Sequence, residues 1–283
     1  MNYELIDSGD GRRLERFGKY ILDRPDPEVL WKKALPETEW QKADAFFKDR
    51  WDNKNVPERW QMEHEGIKFW AKLAPFKHTG VFPEQISQWD WLNKRISEAW
   101  QDKTPVSESA NKNTNVLNLF AYTGIASLFA AKAGAKVTHV DASKPAITWA
   151  NENRDLNSMQ DAPIRWIVDD VIKFTEREAI RRVKYDAIIM DPPVYGHAPN
   201  GQPWDFNKDF PKLLENCQKI LSDKPLFVLV NAYAVSSSSI TLANTLQGIL
   251  GHLGGVLENG ELTLKETSAG RLLSTGIWAR WSK

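Results

Sequence analysis

One run of residues constrains the fold of this chain more than any other. Residues 116–124, Val-Leu-Asn-Leu-Phe-Ala-Tyr-Thr-Gly, are largely apolar, break into a turn and lead into the Ala-rich helical stretch 125–133. A buried strand that feeds a tight turn and a helix N-terminus is a ready-made site for a nucleoside. Further apolar runs end in acids at Asp141, at residues 169–170 and at Asp191. We therefore expect four strand ends to meet on one ligand.

Apolar runs alternate with helical patterns from residue 116 onward. The pattern predicts strands at 116–120, 136–140, 164–168, 185–190 and 225–231, and helices at 124–133, 144–156, 171–182, 208–221 and 237–252. Short connections between alternating elements favour right-handed crossovers and a parallel sheet with helices on both faces. Two last strands, at 260–266 and 272–281, should form an antiparallel hairpin. The expected fold class is α/β, with a mostly parallel Rossmann-like sheet and an antiparallel C-terminal hairpin.

The first hundred residues have a different composition, because they hold eight of the 13 tryptophans. Short strands are expected there at 3–7 and 14–22, and two more within 60–74 on either side of a turn near Glu65-Gly66. One short helix should run from Pro36 toward Phe47. A stronger helix should begin at Pro83 and present Trp89 and Ile96 to the larger sheet. The tryptophans either supply apolar burial to a small region or form a platform on which bases stack.

These differences in composition and in apolar pattern divide the chain into three predicted parts. A small Trp-rich α+β region would cover residues 1–100, a polar linker residues 101–115, and a ligand-binding domain residues 116–283.

Composition narrows the class of protein. Basic and acidic side chains number 37 each, so the net charge is zero and the overall field offers no strong attraction to nucleic acid. A local basic face would not be visible in this sum. Cys217 is the only cysteine, which excludes an intrachain disulfide and is typical of an intracellular protein. Because no apolar stretch approaches the ~20 residues that span a bilayer, we expect no membrane partner and a cytoplasmic location.

The turn after the first of the alternating strands lacks two phosphate-binding motifs. It has neither Gly-x-Gly-x-x-Gly nor Gly-Lys-Ser/Thr. A pyrophosphate needs close backbone approach to several amides, whereas an amino-acid moiety joined to a nucleoside tolerates bulky residues such as Phe120 and Tyr122. The sequence therefore favours S-adenosylmethionine as the ligand over NAD or ATP.

The acids after the second and third strands have two interpretations each. Asp141 could accept both hydroxyls of a ribose or cap the helix near Lys144; Ser143 is the better cap, which leaves Asp141 for the ribose. Asp169 and Asp170 offer one acceptor for an adenine amino group and one helix cap. We assign Asp170 to the adenine, although the two roles can be exchanged.

The most specific short motif follows the fourth strand and reads Asp191-Pro192-Pro193-Val194-Tyr195. The prolines fix the backbone and remove two amide donors, so carbonyl oxygens beside the carboxylate can face a substrate amino group. Tyr195 would add an aromatic face or a hydroxyl. A rigid turn alone would explain the prolines but not the acid. We also expect residues 195–207 to form a lid over the acceptor, with Trp204 and Phe206 as its apolar contacts.

Four motifs together carry a family resemblance: Asn118-Leu-Phe-Ala-Tyr-Thr-Gly124, the acid at 141, Asp-Asp-Val at 169–171 and Asp-Pro-Pro at 191–193. They resemble the class I S-adenosylmethionine-dependent methyltransferases and, within that superfamily, the bacterial 23S ribosomal RNA cytosine-C5 methyltransferases and their relatives. Residues 78–85, His-Thr-Gly-Val-Phe-Pro-Glu-Gln, are similar to the Thr-Gly-aromatic-x-x-x-Gln stretch of that family. The resemblance covers residues 60–280.

The resemblance implies a class I methyltransferase fold, S-adenosyl-L-methionine as cofactor in the domain over 116–283, and RNA, specifically ribosomal RNA, as substrate. The methionine part of the cofactor would be surrounded by Phe120, Ala121, Tyr122 and Gly124, with Asp141 on ribose and Asp170 near adenine. The same motifs add further cofactor-binding candidates, namely Thr79, Gln85, Asn118, Thr123, Ala142, Ser143, Asp169 and Val171. The candidate catalytic residues are Asp191, Pro192, Pro193 and Tyr195.

The sequence departs from that family in two respects. The N-terminal RNA-binding module of the family is not matched, and the fifth strand ends Val230-Asn-Ala-Tyr-Ala234 without the cysteine that the family places there. Cytosine-C5 methylation requires a thiolate that adds to C6 of the base. We therefore expect the methyl group to pass directly to a nitrogen of an RNA base. Such an in-line displacement requires that the protein position the two reactants, and it needs no metal.

Two other functions are compatible with the residues. A methyltransferase for a protein side chain or a small metabolite fits the zero net charge and the unmatched RNA-binding module. A cofactor-binding scaffold without catalysis would use the Trp-rich region for its interactions.

Overall fold

The computed structural model describes residues 1–101, 114–197 and 203–283. Contacts divide the chain into two units: Met1–Ile86 with Leu262–Thr275, and Ser87–Glu261 with Gly276–Lys283. The linker expected at 101–115 lies almost wholly outside the described residues. The boundary at Ile86 differs from the one expected at residue 100, because the helix that follows packs within the second unit.

The first unit contains a sheet and a separate hairpin. Its sheet has the strand order β1 (Tyr3–Gly9), β2 (Arg12–Phe17), β3 (Tyr20–Pro25), β4 (Ala45–Phe47) and β5 (Trp51–Asn53), and the hairpin consists of β6 (Trp60–His64) and β7 (Ile67–Ala71). A short helix, α1 (Glu37–Trp40), precedes β4. The C-terminal part of the chain returns to this unit, where the carboxylate of Glu266 accepts hydrogen bonds from the backbone N–H and the hydroxyl of Ser8 at 2.6 and 2.8 Å.

Residues 14–22 form two strands, so the prediction of one strand is wrong. Gly18 adopts φ of 65° and turns the chain between Phe17 and Tyr20, which pair with each other as the ends of a hairpin. The hairpin expected within residues 60–74 is confirmed, and its turn at Glu65 and Gly66 uses two left-handed residues.

The helix expected to run from Pro36 toward Phe47 ends at Trp40, so its predicted extent is also wrong. Asp44 accepts a hydrogen bond from the backbone N–H of Ile21 at 2.8 Å, and the next residue enters β4 beside β3. Sheet pairing therefore replaces the helix after its first turn.

The tryptophans of the first unit contribute burial and hydrogen bonds inside the unit. Trp40 and Trp60 are buried. The indole N–H groups of Trp31, Trp40 and Trp51 donate to Ser8 Oγ, to the Asp7 carboxylate and to the Ala74 carbonyl at 3.0, 3.0 and 2.8 Å, respectively. These contacts favour the burial interpretation over a free stacking platform.

The alternating part of the chain forms a sheet with the strand order β10-β9-β8-β11-β14-β16-β15, as far as the structure describes it. In chain order these strands and a small hairpin are β8 (Asn115–Leu119), β9 (Lys136–Asp141), β10 (Ile164–Val168), β11 (Ala187–Met190), β12 (Tyr195–His197), β13 (Pro203–Asp205), β14 (Phe227–Ala232), β15 (Val256–Lys265) and β16 (Leu272–Ser282). Strands β8 to β11 and β14 pair in parallel, and β16 runs antiparallel to β14. The mostly parallel α/β fold with an antiparallel C-terminal hairpin is therefore confirmed.

The helices of this part are α2 (Ile86–Gln101), α3 (Ile125–Lys132), α4 (Lys144–Leu156), α5 (Val171–Ile180), α6 (Phe206–Ile220) and α7 (Ser239–Leu250). The predicted helices are confirmed, with small shifts at their ends. In α2, Trp91 meets the edge of Phe227 in β14, so the helix packs on the sheet, whereas Trp89 stacks on Phe129 of α3. In the part of the chain that the structure describes, no helix is both long enough and apolar enough to cross a membrane.

Replacing Ile188 by alanine tests how much the parallel sheet depends on its buried residues. Ile188 lies in β11 and is 0% exposed, so the truncation removes apolar contacts and leaves a cavity. We expect Ile188→Ala to lower the free energy of unfolding by about 2–5 kcal/mol in urea denaturation followed by circular dichroism. Ile240→Ala, at a position 64% exposed, is the control and should change it by less than ~0.5 kcal/mol. Equal losses for the two variants would contradict the assignment of the core.

Candidate active site

The register of the parallel strands brings the predicted site segments to one edge of the sheet. Leu119 lies opposite Val140 and Met190, Val168 lies opposite Asp141, and Met190 lies opposite Val230. The segments that follow these strands begin at 120, 142, 169, 191 and 233. They leave the sheet at the carboxyl ends of neighbouring strands, where open α/β sheets bind their ligands.

The first of these segments, residues 120–124, has an unusual backbone. Phe120 and Tyr122 adopt φ of 54° and 47°, and Gly124 adopts φ of 79° at the start of α3. The N–H of Ala121 donates to the carbonyl of Val140 at 3.1 Å, and the N–H of Gly124 donates to the carbonyl of Ala121 at 3.0 Å. Left-handed residues other than glycine cost about 1–3 kcal/mol each and concentrate at functional sites. The loop is therefore held in a strained shape by the strand beside it.

Asp141 connects this loop to the next one. Its carboxylate accepts the backbone N–H groups of Tyr122 and Ser143, each at 2.8 Å. Burial raises the pKa of Asp141, and the two backbone hydrogen bonds lower it in part. An ionised carboxylate has about four acceptor positions, so two remain for further donors such as ribose hydroxyls.

The cap of α4 belongs to Ser143. Its hydroxyl accepts the N–H of Ala146 at 3.3 Å, and Lys144 and Pro145 form the first helical positions. The structure thus confirms Ser143 as the cap and leaves Asp141 for another role. Ala142 lies between the two and is half-buried.

The two acids after β10 have different contacts. Asp170 caps α5, since its carboxylate accepts the N–H of Lys173 at 2.9 Å and its backbone is extended. The carboxylate of Asp169 accepts the N–H of Asp170 at 2.9 Å and pairs with the guanidinium of Arg177. The capping role therefore falls on Asp170, the reverse of the preferred assignment, because only the residue directly before the helix can reach the third helical N–H. Val171 begins α5 and is buried.

The Asp-Pro-Pro segment is anchored by an aromatic side chain. The indole N–H of Trp204 donates to the carbonyl of Pro193 at 2.7 Å, and its ring meets Phe120 edge-to-face at 4.9 Å between centroids. Pro192 is buried, whereas Tyr195 is 73% exposed. Trp204 therefore contacts both the Asp191-Pro192-Pro193 segment and the first loop, residues 120–124.

The expected lid at residues 195–207 is a β-hairpin where it is described. Strand β12 pairs with β13, while residues 198–202 lie outside the described residues. Trp204 and Phe206 are both buried, and Phe206 stacks on Phe210 of α6 at 4.7 Å. Both side chains thus belong to the core next to the strand ends.

A buried polar network lies behind the first loop. Asn118 Nδ2 donates to Ser127 Oγ at 2.9 Å, and Ser127 Oγ hydrogen bonds with His139 Nδ1 at 3.0 Å. Burial lowers the pKa of His139 to about 3, so the imidazole is neutral at physiological pH. The His139 ring lies 4.6 Å from Trp166, which borders Gly124. Sequence reasoning named Asn118 but missed Ser127 and His139, although a histidine inside an apolar strand was a visible signal.

Thr79 and Gln85 belong to the first unit, whereas the other candidates belong to the second. Thr79 is buried, and its hydroxyl donates to the carbonyl of Val81 at 3.3 Å. Gln85 is also buried and ends a 3₁₀ turn at Pro83–Gln85. Their contribution to the site stays a prediction.

No cluster of three or more metal-binding side chains occurs among residues 1–101, 114–197 and 203–283. The candidate site consists instead of carboxylates, backbone amides and aromatic rings.

Comparison with known proteins gives matches over most of the chain. A family model described as the methyltransferase small domain matches residues 106–254. The crystal structure of a SAM-dependent methyltransferase from Agrobacterium tumefaciens is 40% identical, covers 100% of this chain and 90% of its own, and superimposes with a TM-score of 0.92.

Curated relatives match a shorter part of the chain than the Agrobacterium tumefaciens structure does. Several of them carry the name ribosomal RNA large subunit methyltransferase K/L. The one from Pseudoalteromonas translucida is 34% identical over 172 residues, which is 60% of this chain and 22% of the relative. The one from Shewanella frigidimarina is 34% identical over 171 residues, again 60% and 22%. This chain therefore matches about a fifth of the length of these relatives.

Gly124→Ala tests the strained loop. A Cβ at this position would lie 2.9 Å from the Cβ of Ala150 and 3.3 Å from the Trp166 ring, on a backbone with φ of 79°. We expect a loss of about 1–3 kcal/mol in the free energy of unfolding, measured by urea denaturation. Gly248→Ala, in α7 with nothing within 4 Å of the added Cβ, should instead stabilise by up to ~1 kcal/mol. A neutral Gly124→Ala would show that the loop is not constrained as described.

Proposed function

Because this chain belongs to the methyltransferase small domain family of S-adenosylmethionine-dependent methyltransferases, we propose that it transfers a methyl group directly to a nitrogen of an RNA base. The observation that carries the proposal is the meeting, at one sheet edge, of a strained apolar loop, the half-buried carboxylate of Asp141 and the Asp191-Pro192-Pro193 segment. RNA is favoured as the acceptor by the names of two relatives, of whose length this chain matches 22%.

The site residues fit the cofactor part by part. Phe120, Ala121, Tyr122 and Gly124 would surround its methionine moiety, where the backbone turns twice in a small space. Asp141 would accept the ribose hydroxyls through its two remaining acceptor positions. We assign the hydrogen bond from the adenine amino group to the segment 169–171. Asp169 is the preferred acceptor there, because Asp170 caps α5.

Further contacts to the cofactor are assigned to flanking residues. Asn118 and Thr123 lie at the two ends of the first loop, and Ala142 lies beside Asp141. Thr79 and Gln85 remain candidates from the resemblance of residues 78–85 alone.

The cofactor supplies, when bound, an electrophilic methyl group on a positively charged sulfur. The chain then needs to hold a nitrogen lone pair in line with that methyl group, because well-oriented reactants gain most of the available acceleration. Asp191 and the Pro192 carbonyl would accept hydrogen bonds from an amino group, which orients the lone pair and stabilises positive charge that develops on the nitrogen. Tyr195, which is exposed, would stack on the base.

The sole cysteine supports transfer to a nitrogen rather than to C5 of cytosine. Cys217 lies in α6, away from the strand ends, and is buried. Burial raises the pKa of its thiol to about 12, so it is not a thiolate at physiological pH. A covalent adduct at C6 of cytosine would need that thiolate.

Asp141→Ala tests the ribose assignment. It removes both acceptors of the loop amides and the proposed ribose contact, so we expect the affinity for S-adenosylhomocysteine, measured by isothermal titration calorimetry, to fall by about 10- to 100-fold. Asp161→Ala, at an exposed acid outside the strand ends, is the control and should bind as the wild type does. Unchanged binding by Asp141→Ala would contradict the assignment.

The affinity should also depend on pH through Asp141. Only the ionised carboxylate accepts hydrogen bonds at both oxygens, and its pKa is raised by burial. Lowering the pH through that raised pKa should therefore weaken S-adenosylhomocysteine binding, while Asp141→Asn should bind more weakly at neutral pH and lack this dependence. An identical pH profile for both proteins would exclude Asp141 as the titrating group.

The substrate is tested with RNA from cells that lack the gene. Purified protein and S-adenosylmethionine with a labelled methyl group should label the RNA but not the protein fraction or small metabolites, and mass spectrometry of the nucleosides should place the methyl group on a base nitrogen. Asp191→Ala should bind S-adenosylhomocysteine normally and lose transfer by about 100-fold or more. Label in the protein fraction, in a small metabolite or on carbon-5 of cytosine would refute the proposal.

A further inference from the structure

Asn231 lies at the strand ends without a role in the site described so far. It is the fifth residue of β14, in the sequence Phe-Val-Leu-Val-Asn-Ala, and is 2% exposed. Val230 pairs with Met190 in the parallel ladder, so the next residues, Asn231 and Asp191, lie side by side at the carboxyl edge.

Because the strands are pleated, the side chains of these two residues lie on the same face of the sheet. Met190 and Val230 both belong to the core cluster that contains Phe174 and Leu213. Because side chains alternate along a strand, Asn231 and Asp191 point to the opposite face from that cluster. On its other side Asn231 pairs with Trp278 of β16.

In the part of the chain that the structure describes, the side-chain amide oxygen of Asn231 makes no hydrogen bond that would stabilise the fold. Among the described residues, its Oδ1 is buried and has no hydrogen-bond partner. An unsatisfied buried polar group costs about 1–3 kcal/mol, and an apolar residue would fit a strand that is otherwise apolar. A costly group that persists next to a catalytic carboxylate indicates a function in binding.

We propose that the carboxamide oxygen of Asn231 accepts a hydrogen bond from the methyl-accepting nitrogen, beside the carboxylate of Asp191. This inference rests on the proposed function. It makes Asn231 a specificity-determining residue: the pair selects an acceptor that carries N–H groups, because an acceptor without them would leave the amide oxygen unpaired.

The test uses a ligand that places an amino group where the cofactor carries its methyl group. Sinefungin is such an analogue, and S-adenosylhomocysteine lacks any group there. Calorimetry should show that Asn231→Leu lowers the affinity for sinefungin by about tenfold, while its affinity for S-adenosylhomocysteine stays within about twofold of the wild type. Asn231→Asp keeps an acceptor oxygen and should retain the affinity for sinefungin.

Asn216→Leu is the matched control. Asn216 is also buried and has an unpartnered Nδ2 among the described residues, but it lies in α6. Its replacement should leave both affinities unchanged.

Thermal denaturation separates this role from a structural one. Because Asn231→Leu removes a buried amide oxygen that has no partner among the described residues, it should keep or raise the melting temperature, whereas a structural role requires a decrease. Equal loss of both ligands in Asn231→Leu, loss of sinefungin in Asn231→Asp, or a lower melting temperature of Asn231→Leu would each overturn the inference. Failure to methylate RNA, with the sinefungin result intact, would refute the RNA substrate and leave Asn231 beside a different N–H acceptor.

Discussion

The rest of the site depends on the hydrogen bonds that the half-buried carboxylate of Asp141 accepts. This carboxylate accepts N–H groups from two loops, at Tyr122 and Ser143. The first loop contains two left-handed residues that are not glycine, each of which costs about 1–3 kcal/mol in a protein backbone. A charged acceptor stabilises such a loop more strongly than a neutral one, since hydrogen bonds to charged groups contribute about 1.5–3 kcal/mol. The same charge is then available to a ligand.

A second contact connects the two segments to which the proposal assigns the acceptor and the cofactor. Trp204 binds the Pro193 carbonyl with its indole nitrogen and packs on Phe120 with its ring. The segment assigned to the acceptor and the loop assigned to the cofactor therefore share one side chain. In-line transfer tolerates little displacement of either partner, so a rigid link between the two segments serves the chemistry directly.

The sequence alone predicts the parallel strands and the edge at which they meet, because strongly apolar runs that end in acids have few alternative structures. It also predicts Ser143 as a cap, from a hydroxyl that precedes a proline. It does not decide between Asp169 and Asp170, since either acid could cap α5 and only the backbone dihedrals distinguish them. The turn at Gly18 escapes the pattern because Phe17 and Tyr20 stand close to it on either side, so that two short strands look like one. Asn231 escapes it as well, since one amide in an apolar strand has no meaning until its neighbours in the register are known.

The C-terminal hairpin is divided between the units: residues 262–275 belong to the first and the outer ends of β15 and β16 to the second. Ser8 bonds with Glu266, 258 positions later in the chain. Contacts of such separation form slowly, because a very long segment must be closed before they are made. During synthesis, the N-terminal strands leave the ribosome long before their partner exists. A nascent chain that ends before residue 262 would therefore lack part of the first unit, even if its parallel strands had already paired.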